Sequence, residues 1–509
     1  MKRLLLVLTL SLLLILCGCA EESADLEEDD FLLAGDLSTP DEPLIHTASS
    51  FTLPIYSGQS LDPITCSEGI QRSVSALLYE GLFTLSPSFE VEYSLCDSYE
   101  YDPATFVYTF HLRADVTFGD GSALTARDVL ATLTRAQASE RYGARFAHVA
   151  SMRAMGTDSI RIALNRGDVT FPALLDIPIV RSGTEKDLVP LGTGPYLYIT
   201  EGSRDYLRAN SSWWQGNIQP LVRIELSPVR DEDTAAYRFS SGEVQLLRSQ
   251  LLGVSGVSAT TGISVASVDT TELLYLGFNS LSVSDAALRH ALSLGVDRES
   301  FVSGYLSGYA KSAWAPISPA SALYPKDLER SFQRKDFGSA MDGLGYGAEG
   351  EAAAKTLTLL VNEESSEKVS IANAIAAGLS YGKLQVRVKV LPWDSYAAAL
   401  QAGSFDLYLG EVRLMPTWDL SALIGSFGSM NYGYYSDLVL DELMQSFRST
   451  GTEAAAHQLC SYLAQQCPLI PLCFRTDTIL THTAVLSDLT PTAASPFYGL
   501  QHWDVTLVN

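Results

Sequence analysis

Positive charge is scarce in this chain. Its 509 residues hold 34 Lys and Arg against 59 Asp and Glu, a net charge of −25. Nucleic-acid binding relies on clustered Lys and Arg that displace counterions from phosphates, so that class is excluded. Histidine is also sparse, with 7 residues, and there is no Cys-x-x-Cys pair. A zinc framework therefore has no ligands at the usual spacing, even with His457 close to Cys460. Neither GxSxG nor HExxH occurs, which leaves an extracellular hydrolase without its usual motifs. Beyond the first residues no apolar run is membrane-spanning. The uncharged stretch 251–268 is rich in Ser, Thr and Gly, poor guests in hydrocarbon. No cofactor and no metal is implied.

What the chain does have begins at its N-terminus. Met1, Lys2 and Arg3 make a positive start, followed by a nearly unbroken Leu, Val and Ile run to Leu16. That run is shorter than the roughly 20 residues of a spanning helix and reads as a secretory signal. Leu16-Cys17-Gly18-Cys19 then resembles the bacterial lipobox, in which the last cysteine is acylated and becomes the new N-terminus. Lipidation of Cys19 is the expectation; an ordinary signal cut near Ala20 is the plainer reading. Residues 20–30 carry Glu21, Glu22, Asp25, Glu27, Glu28, Asp29 and Asp30. Like charges repel one another, so this block reads as an extended, solvated leash. With Cys17 and Cys19 set aside, Cys66, Cys96, Cys460, Cys467 and Cys473 remain, an odd number that fits either one disulfide or buried free thiols.

With 47% hydrophobic residues the chain can fill a large core in two or three domains. From Phe51 onward short β-like runs alternate with amphipathic helices, an α/β signature. In residues 108–136, Tyr108, Phe110 and Leu112 alternate as on a half-buried strand. Gly119-Asp120-Gly121 makes a turn, and Thr125 with Asp128 approximates a capping box. The glycine pair of LGTGPY (191–196) is followed by Pro195 and β-prone residues rather than a helix N-terminus, so it is a turn into a strand. Residues 272–280 read as a buried strand. Ser284 is the expected cap of one helix that Gly295 ends, and Asp297 the cap of the next. The nominal GxGxxG at Gly345, Gly347 and Gly350 has no strand leading into it and fails as a dinucleotide site. Strands are expected at 356–361, at 385–393 with Val386, Val388 and Val390 on one side, at 405–409 and at 467–480.

Several of these segments, in this order, resemble the family 5 extracellular solute-binding proteins of ABC transporters, the dipeptide, oligopeptide and nickel receptors. The matching stretches are LLYEGLFTL (77–85), YTFHLRADVTFGDGSALTARDV (108–129), LGTGPY (191–196), WWQG (213–216), LYLGFN (274–279), LRHALSLGVDRESFVSGYLSGYA (288–310), GSFDLYLGE (403–411) and PLIPLCFR (468–475). The resemblance implies an α/β fold of the two-lobed periplasmic-binding-protein type (type II, cluster C) with an extra inserted subdomain. Carried over, 1–18 is a lipoprotein signal peptide and 19–45 an acidic tether. Lobe I gathers 46–64, 189–275 and 477–509, the inserted subdomain is 65–188, and lobe II is 276–476.

The implied act is capture. Two lobes close on a small solute, a peptide by the resemblance, and a membrane permease receives it. The chain would work as a monomer, lipid-anchored at the extracytoplasmic face of the cell membrane, without nucleic acid. The alternatives are a peptide-pheromone receptor, a nickel- or haem-chelate binder and, less favoured, an extracellular hydrolase. In GEVRLMPTWDL (410–420) a family tryptophan is replaced by Glu411, which could take an ammonium group while Arg413 takes a carboxylate. Each is alternatively an ion pair or a surface charge. Trp418 stacks on solute or packs, and Trp393 is core or cleft wall. Arg72, in TCSEGIQRSV (65–74), and Phe497 with Tyr498 near the C-terminus complete the ligand-binding candidates. Trp213 and Trp214 read as packing residues.

Overall fold

The structure, a computed structural model, describes residues 47–66, 69–249 and 262–508. The chain divides into two compact units, Met1–Glu42 and Pro43–Asn509, and every described residue belongs to the second. The signal sequence, Cys19, the tether and most of the uncharged stretch 251–268 lie outside the described residues.

Three sheets carry this unit. The first has four strands in the order Thr52–Ile55, Arg223–Pro228, Arg204–Ala209 and Tyr196–Glu201. A second four-stranded antiparallel sheet is formed by Cys96–Asp102, Val107–Leu112, Ser159–Leu164 and Val149–Met155. The third is the largest. Its path runs Leu246–Ser249, Leu469–His482, Ile263–Phe278, Leu407–Arg413, Lys355–Asn362 and Leu384–Leu391, with Ala310–Ser312 beside Leu469–His482.

The third sheet owes its place to side-chain alternation, since successive strand residues face opposite ways. Leu274, Leu276, Phe278, Leu357, Leu359, Leu407 and Leu409 join the core on one face, with the helices Ala286–Leu294 and Ser366–Leu379. Leu273, Tyr275, Leu360 and Tyr408 join the core on the other, with the helices Leu438–Thr450 and Glu453–Gln466. The second sheet has its own core through Tyr108, Phe110, Ile160 and Ile162 beneath the helix Ala126–Gln137. Within the segment 65–188 packing is divided. Val74 of the helix Ile70–Ser75, together with Leu77, Leu78 and Tyr79, buries in the cluster of the first sheet, whereas Leu82 and Phe83 bury with the second.

Two strands run far beyond the others. Ile263–Phe278 and Leu469–His482 pair antiparallel nearly end to end. Their outer halves pack with the core of the first sheet, where Val268 and Ile479 are buried. Their inner halves pack with the helices on one face of the third sheet, where Leu276 and Ile470 are buried. The ladder slips between Asp269 and Leu273 and again between Leu274 and Tyr275, so the irregularities fall at the crossing.

The caps follow their chemistry. Thr125 and Asp128 form the capping box, and Asp297 accepts from the Ser300 amide at 3.2 Å. Asp285, not Ser284, caps the helix Ala286–Leu294, accepting from Ala287 at 2.9 Å. The strand expected at 272–280 starts earlier, at Ile263, and that expected at 405–409 extends to Arg413. Val386 is buried, but Val390 is 42% exposed, because Leu384–Leu391 is the sheet's edge. Cys66, Cys96, Cys460, Cys467 and Cys473 are buried free thiols. Among the described residues no helix is long and apolar enough to cross a membrane, and no group of three or more His, Cys, Asp or Glu is placed to hold a metal.

Candidate functional site

A cavity of about 630 Å³ is gathered from stretches far apart in the chain. It falls in the range of about 300–1,000 Å³ usual for small-molecule sites. Its walls come from separate stretches of chain: the helix Ile70–Ser75, the segment around the 3₁₀ turn Gly143–Phe146, the irregular part of the crossing strand, residues 413–416 and residues 489–494.

Five arginines line it: Arg72, Arg141, Arg145, Arg248 and Arg413. Arg145 pairs with Asp176 and donates to the Leu174 carbonyl at 3.1 Å. Arg248, at the end of Leu246–Ser249, pairs with Asp477 and donates to the Ala493 carbonyl at 3.0 Å. Arg413 meets Glu272 at 2.5 Å across adjacent strands. Arg141 donates to the carbonyls of Pro63 at 3.0 Å and Cys66 at 2.6 Å. Burial pushes the Cys66 thiol pKa up, with Arg141 working against that rise. Of the lining carboxylates, Asp269 has its cation on Lys311, 2.7 Å away on the strand Ala310–Ser312. Thr270, at the slip in the ladder, donates to the Arg475 carbonyl at 2.6 Å. The floor of the site is therefore the crossing itself.

Phe89 lines one wall and is backed by Trp418, and both stand in the left-handed backbone region. Phe89 (φ 64°) and Trp418 (φ 57°) meet edge to face with ring centroids 5.1 Å apart. Such a conformation costs a non-glycine residue of order 1–3 kcal/mol and persists where packing over-determines it. Phe89 lies between the strands Phe83–Leu85 and Val91–Tyr93, while Trp418 sits in the core beneath the helices Leu438–Thr450 and Glu453–Gln466. Nearby, Asp419 pairs with Arg166 and with Arg448 of the helix Leu438–Thr450, 3.4 Å away. Burial works to raise the Asp419 carboxyl pKa, but those two guanidiniums and Ser421 hold it below the ordinary value.

The sequence-derived candidates separate clearly. Arg72 and Arg413 lie in the cavity wall. Glu411 does not; it pairs with Arg475 and, at 2.5 Å, with Lys368, while Arg475 also reaches Glu367 at 2.6 Å. Burial works to raise its carboxyl pKa, and Arg475 and Lys368 together bring it below the usual range. Glu411 and Arg413 are thus each paired, though not with one another. Trp418 is 1% exposed and packed between Phe89 and Phe474. Trp393 is 58% exposed at the start of the helix Trp393–Gln401, its amide donating to Glu364 at 2.6 Å. Phe497 is buried against Trp503, and the Tyr498 hydroxyl donates to Glu92 at 2.8 Å. Trp393, Trp418, Phe497 and Tyr498 are absent from the cavity wall. Sequence reasoning missed Arg141, Arg145 and Arg248. The only local signal was the repeated arginine in residues 135–145, which looks like any solvated helix end.

Comparison with known proteins supplies the context. Residues 90–434, more than half of the chain, match the family described as "Bacterial extracellular solute-binding proteins, family 5 Middle". The glutathione-binding protein GsiB of Escherichia coli K12 is 24% identical over 313 residues, covering 57% of this chain. The match thus spans 59% of that relative's length. Among solved structures, a nickel ABC transporter protein from Bacillus halodurans superposes with a TM-score of 0.75 at 20% identity, over 88% of this chain and 98% of the other. The oligopeptide-binding protein AppA of Bacillus subtilis, bound to a nonapeptide, gives 0.60 at 19% identity, over 90% of this chain and 100% of the other. These structural likenesses carry the two-lobed fold.

Proposed function

Since the chain belongs to the family 5 bacterial extracellular solute-binding proteins, we propose that it captures a peptide-like solute in the cavity at the lobe crossing and delivers it to the permease of an ABC importer. The observation that carries this reading is the cavity itself. It is walled by both lobes and the inserted segment, floored by the two crossing strands, and lined by charged and hydroxyl groups around apolar residues. Closing such walls on a solute expels water and strengthens each polar contact. A micromolar affinity corresponds to about −8 kcal/mol, which a few charge-assisted hydrogen bonds in a desolvated cleft can supply. In this reading Arg72 and Arg413 touch the solute. Glu411 braces the second lobe through Arg475, and Trp418 supports the wall through Phe89. Trp393, Phe497 and Tyr498 act as surface or packing groups. Lobe I is formed by 46–64, 189–275 and 477–509, with 65–188 inserted and 276–476 as lobe II. Acylation of Cys19 and the acidic leash would hold the monomer at the outer face of the membrane.

The test is a calorimetric titration of the purified full chain with glutathione, di- to pentapeptides and nickel-histidine chelates, each recovered afterwards. Saturable binding of at least one, returned unchanged, supports capture, and the intact mass of membrane-extracted protein should carry acyl chains on Cys19. Heat-free mixing with every compound, or breakdown of a bound peptide, overturns the reading.

A further inference from the structure

The cavity's charged groups are not evenly spent. Its four lining carboxylates, Asp176, Asp269, Glu272 and Asp477, each already have a cation: Arg145, Lys311, Arg413 and Arg248 respectively. A solute's ammonium group would have to displace one of these. The cations are in surplus. Arg141 lines the cavity with neutral partners, the carbonyls of Pro63 and Cys66 and, at 3.8 Å, the Cys66 sulfur. The Arg248 side chain is 5% exposed, and its Nε has no hydrogen-bond partner among the described residues. A guanidinium presents five N–H donors in a planar fork, and leaving a buried donor unmade costs about 1–3 kcal/mol. Arg145 and Arg141 hold their forks in place through backbone carbonyls, so little ordering remains to be done on binding.

Resting on the reading of this cavity as the solute site, we propose that its solute is a net anion, an acidic peptide with more carboxylates than ammonium groups. The excess carboxylate pairs with the Arg141 guanidinium, whose partners in the wall are neutral carbonyls. Neutral peptides have no excess carboxylate to place on Arg141, and basic ones meet it with like charge.

The full chain should be titrated with tri-glutamate, tri-alanine and tri-lysine under one buffer, alongside glutathione. The expected result is at least tenfold tighter binding of an acidic peptide than of tri-alanine, with tri-lysine weakest. In Arg141→Gln the acidic preference should collapse towards unity while tri-alanine binding changes little. Arg141→Lys, which keeps the charge and loses the fork, should retain part of it if the glutamine variant proves unfolded by its melting curve. Equal affinity for acidic and neutral peptides overturns this assignment and leaves solute capture standing. Preference for tri-lysine also overturns it. Failure of every peptide to bind removes both.

Discussion

At the scale of single residues, Glu80 stands out, because a carboxylate is enclosed by two indoles. Trp213 and Trp214 donate to its Oε1 at 3.0 and 3.1 Å, and Thr193 donates to Oε2 at 2.8 Å. Arg113 lies over the Trp214 ring at 4.3 Å. Burial raises the Glu80 pKa from its ordinary 4.5, and the three donors offset only part of that, leaving it at about 7. A carboxyl whose folded value lies above its unfolded one contributes stability that is complete below the unfolded value. That contribution is lost as pH climbs through the folded value. The window here is about 4.5 to 7. The melting temperature of the native chain should therefore fall across that window relative to Glu80→Gln, whose slope should be flatter. Parallel slopes in the two proteins would discard the assignment. The residue scale is also where the sequence was least legible. The WWQG stretch read as packing, and its buried acid, over a hundred positions away, could not be foreseen. Glu411 invited an ammonium because nothing near it in sequence is basic except Arg413, whereas its cations arrive from Lys368 and Arg475.

At the scale of elements, two strands carry the same three residues. Tyr275-Leu276-Gly277 and Tyr408-Leu409-Gly410 run antiparallel in register, so Tyr275 sits opposite Gly410 and Gly277 opposite Tyr408. Each ring lies over the other strand's glycine, and the hydroxyls meet at 3.2 Å. A Cβ on Gly277 would fall 2.2 Å from the Tyr408 ring, and one on Gly410 2.6 Å from that of Tyr275. Overpacking of this kind costs roughly 1–3 kcal/mol. Gly277→Ala and Gly410→Ala should each lower stability by about that amount in urea titration, and the pair should be non-additive because the rings share a contact. A cost near zero for both would mean the rings move freely. Elements were the most legible level. Strand alternation, Asp and Thr caps and terminal glycines act over a few residues, so sequence reasoning found the helix Ala126–Gln137 and the strand Lys355–Asn362 nearly in place. It missed the length of Ile263–Phe278, whose outer half reads as polar, uncharged loop.

At the scale of the whole molecule, charge and cavity oppose one another. The chain carries −25 overall, while the cavity holds five arginines against four carboxylates. The field of the exterior reaches about 30 Å at 0.01 M salt and about 8 Å at 0.15 M. An anionic solute should therefore associate faster as salt rises over that range, whereas a neutral peptide should be indifferent. Stopped-flow rates for tri-glutamate and tri-alanine would show it, and an acidic-peptide rate that falls with salt would mean the cavity's own attraction prevails at a distance. The fold class was readable at this level because eight motifs kept their order. The cavity was not, since its lining is gathered from stretches hundreds of residues apart.

The long pairing of Ile263–Phe278 with Leu469–His482, interrupted by two register shifts between Asp269 and Tyr275, has a mechanical consequence. Halves joined through a shared ladder cannot swivel like a ball joint; they flex like a leaf spring, about one axis and against a restoring force. Occupancy would then be timed by elastic recoil, and a solute that grips only one half would be shed before the spring is fully bent.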